Sequence, residues 1–241
     1  MSQQDPPTFP DEPAVVTTAI NKVRKTFATG KTRPYAFRLK QLQALEQQMV
    51  TMHKELSQAR SNDLGLSDFC NWVFELNTVI RDIQHCIASL KENMKAESVD
   101  TPLIVGPGKS YIMREPIGVV AIVGSWNYPF VTTISPMATA IAAGNVVVVK
   151  PSEFCPFTSK VIKTLMAMSI DSNSYQCVFG HVKVAIALTS SPVDKIIFTG
   201  STEKGRLVAA AAAKNLVPCI LELGGKSPMI VDKSANLEYA A

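Results

Sequence analysis

Val146-Val147-Val148-Val149 is four β-branched residues in a row with no polar side chain among them. Such side chains are stiff at χ1 and suit a pleated strand. A strand without polar/apolar alternation must be covered on both faces, which belongs to a parallel sheet with helices above and below. This one segment argues against a half-solvated antiparallel sheet, and its flanks agree. From Ile117 onward, short apolar strands alternate with helical segments. Ile117–Val123 reads as a strand. Ile134, Met137, Ala138 and Ile141 then share one helix face, with Pro136 tolerated near the start and Gly144 at the end. Further helices are expected around Thr158–Ser169, Val182–Thr189 and Thr202–Lys214. Further strands are expected at Gln176–Phe179, Lys195–Phe198, Val217–Leu223 and Pro228–Val231. This alternation predicts an α/β fold with a doubly wound, mostly parallel, Rossmann-like sheet.

The first hundred residues read differently, as a helical N-terminal layer. Val16, Ile20, Val23 and Phe27 keep helical spacing, and Gly30 is placed to end that helix. A longer helix carries Leu42, Leu45, Met49, Met52 and Leu56 on one stripe. A third, from about Asn71, carries Leu76, Val79, Ile80, Ile83, Ile87, Leu90 and Met94. One apolar stripe per helix implies packing against something larger. Between Ser98 and Gly108 the pattern breaks, and Lys109–Pro116 reads as an exposed strand or ribbon. The expected organisation is a helical part over 14–100, a ribbon over 101–116 and the sheet region over 117–241.

Composition excludes several classes. The chain has 241 residues with 46% hydrophobic, enough to bury a core. Its formal net charge is +4, and the one basic knot (Lys22, Arg24, Lys25, Lys31, Arg33) has no aromatic residues interleaved to stack bases, so nucleic-acid binding is not expected. The five cysteines (Cys70, Cys86, Cys155, Cys177, Cys219) form no Cys-x-x-Cys pair, and His53, His85 and His181 are isolated. Neither a disulfide framework nor a metal centre is expected. Met1–Pro13 is acidic and proline-rich without an apolar core, so it is not read as a targeting peptide, and no apolar run is long enough to span a bilayer. A cytoplasmic location is expected.

In doubly wound sheets ligands bind at the carboxyl ends of the strands, and the polar motifs fall there. Gly124-Ser125-Trp126-Asn127-Tyr128-Pro129 follows the first strand. Asn127 could offer an amide N–H to a developing oxyanion, although taken alone it reads as an Asx-turn residue shaping the loop before Pro129. Lys150-Pro151-Ser152-Glu153 follows the second, offering a cation and a carboxylate that suit ribose and phosphate or, equally, a surface ion pair. Thr199-Gly200-Ser201-Thr202-Glu203-Lys204-Gly205 opens a helix whose free N–H groups suit an anion. It departs from both the Gly-x-Gly-x-x-Gly and P-loop patterns, and by itself reads as an ordinary N-capped helix. Finally, Glu222 stands among Ile220, Leu221 and Leu223, followed by Gly224 and Gly225. A carboxylate there is expected to be poorly solvated, in the range where a general base works.

The order Ser-Trp-Asn-Tyr-Pro, Lys-Pro-Ser-Glu, Phe-Thr-Gly-Ser, Leu-Glu-Leu-Gly-Gly-Lys-Ser-Pro resembles the NAD(P)-dependent aldehyde dehydrogenase family, from about Ala14 to the last residue. Gly30-Lys31-Thr32-Arg33-Pro34 with Arg38, Gln41, Leu42, Ala44 and Leu45 is similar to the class 3 branch, which includes fatty and aromatic aldehyde dehydrogenases. The resemblance implies an oxidoreductase that converts an aldehyde to a carboxylic acid with NAD or NADP. In the family a cysteine thiolate attacks the aldehyde, the thiohemiacetal gives a hydride to the nicotinamide, and the thioester is hydrolysed. By motif, Asn127 is the oxyanion-hole amide and Glu222 the general base. Lys150 and Glu153 contact the adenosine ribose, Gly200, Ser201 and Gly205 lie beside the pyrophosphate, and Leu223 lines the cofactor site. The family's Gly-Gln-x-Cys motif does not occur in this chain. The expectation is therefore the cofactor-binding half, without the catalytic domain and without the strand that completes the bridging sheet of family homodimers. A non-catalytic nucleotide-binding or interaction fragment is the alternative.

Overall fold

The structure, a computed structural model, describes residues 5–240. Five strands form one parallel sheet: β3 (Val119–Val123), β4 (Val146–Lys150), β5 (Tyr175–Cys177), β6 (Lys195–Gly200) and β7 (Cys219–Leu223). β1 (Glu97–Val99) and β2 (Ser110–Ile112) form a separate antiparallel ribbon. The order across the parallel sheet is β5-β4-β3-β6-β7. The chain thus starts in the middle, builds two strands outward on one side, and crosses back to build two on the other. That reversal puts a topological switch point between β3 and β6.

Every residue of β3 and of β4 is buried, which is what the unbroken valine run requires. Val120, Ile122, Val147 and Val149 face one core. It is shared with α2 (Tyr35–Thr51), α3 (His53–Leu64), α5 (Asn77–Asn93), α6 (Val131–Ala142) and α7 (Pro156–Ser169). Val119, Ala121, Val123, Val146 and Val148 face the other, shared with α1 (Ala14–Ala28), α8 (Val182–Thr189) and α9 (Thr202–Ala213). Each fully buried valine or isoleucine contributes roughly 1.5–3 kcal/mol relative to leaving it in water. The helical N-terminal layer therefore divides: α1 covers one face of the sheet, and α2, α3 and α5 help cover the other.

Several boundaries differ from the sequence reading. The long second helix is interrupted at Met52, which separates α2 from α3, although Met52 N–H still donates to Gln48 O at 2.9 Å and Met52 O accepts from Leu56 N–H at 2.9 Å, so the apolar stripe continues. The third helix begins earlier, as α4 (Asp68–Asn71) capped by Ser67, and passes through a π-helical turn at Trp72–Leu76 before α5. No strand forms at Pro228–Val231. The chain is irregular after Leu223 until the short α10 (Leu237–Ala240), and Met229 and Ile230 are exposed. Those residues have the apolar character of a strand but no neighbouring strand to pair with among the described residues. Gly144 ends α6 as expected: it has φ +84°, and a Cβ there would lie 2.5 Å from the Arg38 guanidinium. The basic knot is dispersed into surface pairs, Arg24 with Asp194 at 3.4 Å and Lys31 with Asp171 at 2.9 Å.

Candidate functional site

The carboxyl ends of β3, β4, β6 and β7 carry the residues singled out from the sequence. Parallel registration places Glu222 beside Thr199 and Leu223 beside Gly200, and Val123 beside both Lys150 and Phe198. Adjacent strands are about 4.8 Å apart, so the whole set lies along one edge of the sheet, on both sides of the switch point.

At the end of β3, Gly124 is required by close approach, because a Cβ would lie 2.2 Å from Thr133 Oγ1 at the start of α6. Its N–H donates to Lys150 O at 3.0 Å, extending the ladder by one residue. The loop then exposes Trp126, Asn127 and Tyr128. An Asx-turn at Asn127 would need the N–H of the residue two positions on. That residue is Pro129, which has none. Asn127 Oδ1 instead accepts from Ser125 Oγ at 2.8 Å. With its oxygen engaged, the side chain of this exposed residue keeps its NH₂ as a donor, the group that an oxyanion contact needs.

At the end of β4, Lys150 is only 1% exposed, and its Nζ lies 2.7 Å from Glu153 Oε2 and 3.3 Å from Pro151 O. The ion pair is therefore real but is not the surface pair that spacing alone allowed. It is a buried cation held at the crevice mouth by a carboxylate that remains 16% exposed.

At the end of β6, Ser201 is the N-cap of α9, its hydroxyl accepting from Lys204 N–H at 3.3 Å. The first-turn N–H groups of α9 thus face the strand-end edge with the positive end of the helix dipole. Gly205 sits one turn in and has a different role from Gly200. A Cβ on it would lie 2.5 Å from Leu223 Cδ2, so its absence lets α9 pack against β7. That is the helix–sheet packing role of a glycine in dinucleotide-binding turns. These features fit a dinucleotide: a glycine-lined helix start for the phosphates and a charged pair for the ribose.

Glu222 departs from its expectation. It is exposed rather than desolvated. α9 covers only the Cys219 and Leu221 side of β7, whereas Ile220 and Glu222 project to the other face, which no helix covers at this edge among the described residues. The apolar neighbours in sequence therefore do not enclose the carboxylate.

Four of the five thiols are shifted away from the reactive thiolate. Burial pushes Cys155 and Cys177 up to about 12, and raises Cys86 and Cys219 above the ordinary thiol value. Cys155 donates its S–H to Trp126 O at 3.0 Å, so it acts as a loop anchor. Cys219 lies three residues from Glu222 on one strand, hence about 10 Å away on the opposite face.

Sequence reasoning missed a buried polar network behind this edge. Arg60 and Glu75, 3% and 0% exposed, form an ion pair. Glu75 Oε1 also accepts from Phe130 N–H at 2.7 Å and Val131 N–H at 3.1 Å, satisfying the free donors where α6 begins. Burial pushes the Glu75 carboxyl up to about 7 despite the adjacent guanidinium. Arg60 further donates to Asn71 Oδ1 at 2.8 Å and to Asn127 O at 3.3 Å, and its guanidinium lies 5.7 Å from the Tyr128 ring centre. Asp63 similarly accepts from Phe157 and Thr158 N–H at 3.1 and 2.7 Å at the start of α7, and burial raises its carboxyl. The signal was present: Arg60 follows Leu56 by four residues, on the stripe where an apolar residue is expected. Two other clefts, of about 630 and 540 Å³, lie among α2, α3 and α4 and beside α1. Neither is at the strand ends, where the chemistry converges on an open edge instead of an enclosed cavity.

The strand order, the switch point and the strand-to-helix turns define a Rossmann-like α/β fold. Residues 11–241 match the Aldehyde dehydrogenase family, and this chain belongs to that family. It is 38% identical over 221 residues to "Aldehyde dehydrogenase family 3 member A2" of Rattus norvegicus, covering 92% of this chain and 46% of that protein. It is 40% identical over 225 residues to "Aldehyde dehydrogenase, dimeric NADP-preferring" of Mus musculus, covering 93% and 50%. The substrate-bound Staphylococcus aureus AldH structure superposes with a TM-score of 0.86 at 37% identity, over 93% of this chain and 49% of that one. The chain thus spans about half the length of the relatives it matches. No helix among the described residues is long and apolar enough to cross a membrane.

Proposed function

We propose that this chain forms the cofactor-binding part of an NAD(P)-dependent aldehyde-oxidising enzyme. The observation that carries the reading is the gathering, along one sheet edge around the switch point, of the Asn127 amide, the Lys150–Glu153 pair and the α9 N-terminus. Lys150 and Glu153 would hold the adenosine ribose, and the N–H groups after Gly200 and Ser201 the pyrophosphate. Leu223, packed on Gly205, would line the floor. The bound nicotinamide supplies the hydride acceptor. Asn127 donates to the oxygen of the aldehyde as negative charge develops there, a contact worth roughly 3 kcal/mol when well placed.

Glu222 is the general base in this reading, and acts once its open face is covered and its carboxylate is removed from bulk water. None of Cys86, Cys155, Cys177 and Cys219 supplies the attacking thiolate in this reading, since burial favours their protonated form. A cytoplasmic location belongs to the same proposal, as does the homodimer of family relatives, whose bridging sheet is incomplete in this chain. A non-catalytic nucleotide-binding role for the isolated chain is the second reading, favoured by the exposure of Glu222 and the protonated thiols.

Titration calorimetry with NAD and NADP tests the placement. A carboxylate beside the ribose accepts a hydrogen bond from its 2′-hydroxyl and repels a 2′-phosphate. Wild type is expected to bind NAD more tightly than NADP, and Glu153→Gln, which can still accept from Lys150, to narrow that ratio several-fold. An unchanged ratio removes Glu153 from the ribose. Binding of neither dinucleotide overturns the proposal.

A further inference from the structure

The loop that carries Asn127 is held more completely than a surface loop needs to be. Three successive carbonyls accept from side chains on three different elements. Trp126 O accepts from Cys155 before α7, Asn127 O from Arg60 of α3, and Tyr128 O from Thr132 of α6 at 2.9 Å. Ser125, at the loop's start, donates its hydroxyl to Asn127 Oδ1, while its own N–H donates to Thr132 Oγ1 at 2.9 Å. The exposed residues of the loop thus rest on a fixed backbone.

Arg60 is the only one of these groups that reaches beyond the loop in several directions at once. Its nitrogens meet Glu75, Asn71 and the Asn127 carbonyl separately. Glu75 in turn holds the N–H groups of Phe130 and Val131, so one guanidinium ties the middle of the loop to its far end. A lysine carries the same charge as a single point and cannot reproduce a fork with three partners. The Ser125 hydroxyl has the complementary task. By engaging Oδ1 it keeps the Asn127 NH₂ as the donor.

We infer that Arg60 and Ser125 are positioning residues for Asn127, Arg60 fixing its main chain from behind and Ser125 fixing the rotation of its side-chain amide. The inference rests on the proposed role of Asn127 as oxyanion donor for its functional meaning, but not for its geometry. Preorganisation of this kind matters because a donor displaced by about 1 Å costs on the order of a hundredfold in rate.

The test uses the full 241-residue chain with ¹⁵N-labelled asparagine, the Asn127 side-chain resonances being assigned by their loss in Asn127→Asp. In wild type they are expected to stand apart from those of exposed, unrestrained asparagines. Ser125→Ala should move them to the unrestrained position, and Ser125→Thr, which keeps the hydroxyl, should restore them. Arg60→Lys should shift both the main-chain and side-chain resonances of Asn127 while those of Asn145, which accepts from Ile117 and Gly118 N–H just before β3, stay in place. If Arg60→Lys does not fold, the Ser125 series decides. Superimposable Asn127 resonances in wild type and Ser125→Ala overturn the inference. So does a Ser125→Ala shift that Ser125→Thr fails to restore, because that is the signature of general disturbance. Absence of dinucleotide binding by wild type would count against the proposed function alone, since this readout needs no cofactor.

Discussion

Removing the Glu75 carboxylate should be among the most damaging single changes in this chain. In Glu75→Leu at pH 8, Arg60 keeps its charge at 3% exposure but loses its counter-ion. Breaking a buried pair from one side costs about 3–5 kcal/mol, because the surviving charge is neither paired nor hydrated. The N–H groups of Phe130 and Val131 lose their acceptor as well, and an unsatisfied buried donor costs about 1–3 kcal/mol. These losses share one origin and do not simply add, so about 4–6 kcal/mol is expected. A domain holds only about 5–15 kcal/mol in total, and at roughly 2–4 °C per kcal/mol the Tm should fall by about 10–20 °C.

Urea unfolding followed by circular dichroism measures the loss directly, and the double variant Arg60→Met/Glu75→Leu separates the pair from its packing. With both charges gone, the double variant should be more stable than Glu75→Leu alone. A loss below about 1 kcal/mol in Glu75→Leu would refute the reasoning, as would a double variant no more stable than the single. The pH dependence has a fixed sign. Burial raises the folded carboxyl to about 7 from an ordinary 4.5, so between those values the folded state keeps a proton that the unfolded state releases. The stabilisation from this group is full below about pH 4.5 and is lost as pH rises through about 7. That slope should vanish in Glu75→Gln.

The 241-residue chain should give no NADH from medium-chain or aromatic aldehydes. Turnover above a no-enzyme blank that Glu222→Gln abolishes would assign the nucleophile to one of its five cysteines. Alkylation at pH 8 followed by peptide mass spectrometry should find Cys155 and Cys177 protected, since burial pushes both thiols up to about 12; labelling of either ahead of Cys70 would contradict this. Gly124→Ala should lower stability by about 1–3 kcal/mol through overpacking against Thr133, read as a shift in urea midpoint. The uncovered face and free edge of β7 should drive concentration-dependent association, and sedimentation showing a monomer at all concentrations would count against it.

What the sequence made legible follows the range of the forces involved. The Val146–Val149 run specified a doubly covered strand because burial of β-branched side chains is a local statement about both faces of one segment. Gly144 and Ser201 were legible as a helix stop and a cap because each acts within a few residues of its own backbone. Glu222 was misjudged for the opposite reason. Whether Ile220 and Leu221 desolvate it depends on what lies across β7, which no neighbour in sequence encodes, and α9 covers only the other side. Pro228–Val231 failed in the same way, since apolar character makes a strand only where a ladder partner exists. Arg60 and Glu75 were invisible to motif reading because their partners lie across the fold: Asn127 is 67 residues from Arg60, and Phe130 is 55 from Glu75. Asn127 lies between these cases. The Asx-turn expected from its sequence neighbours fails because Pro129 lacks the N–H such a turn needs, and the contact that replaces it, a Ser125 hydroxyl turned onto Oδ1, is visible only in the fold. In this chain the residues proposed to touch ligand carry sequence motifs at strand ends, whereas Arg60 and Glu75, which brace the Asn127 loop, carry none.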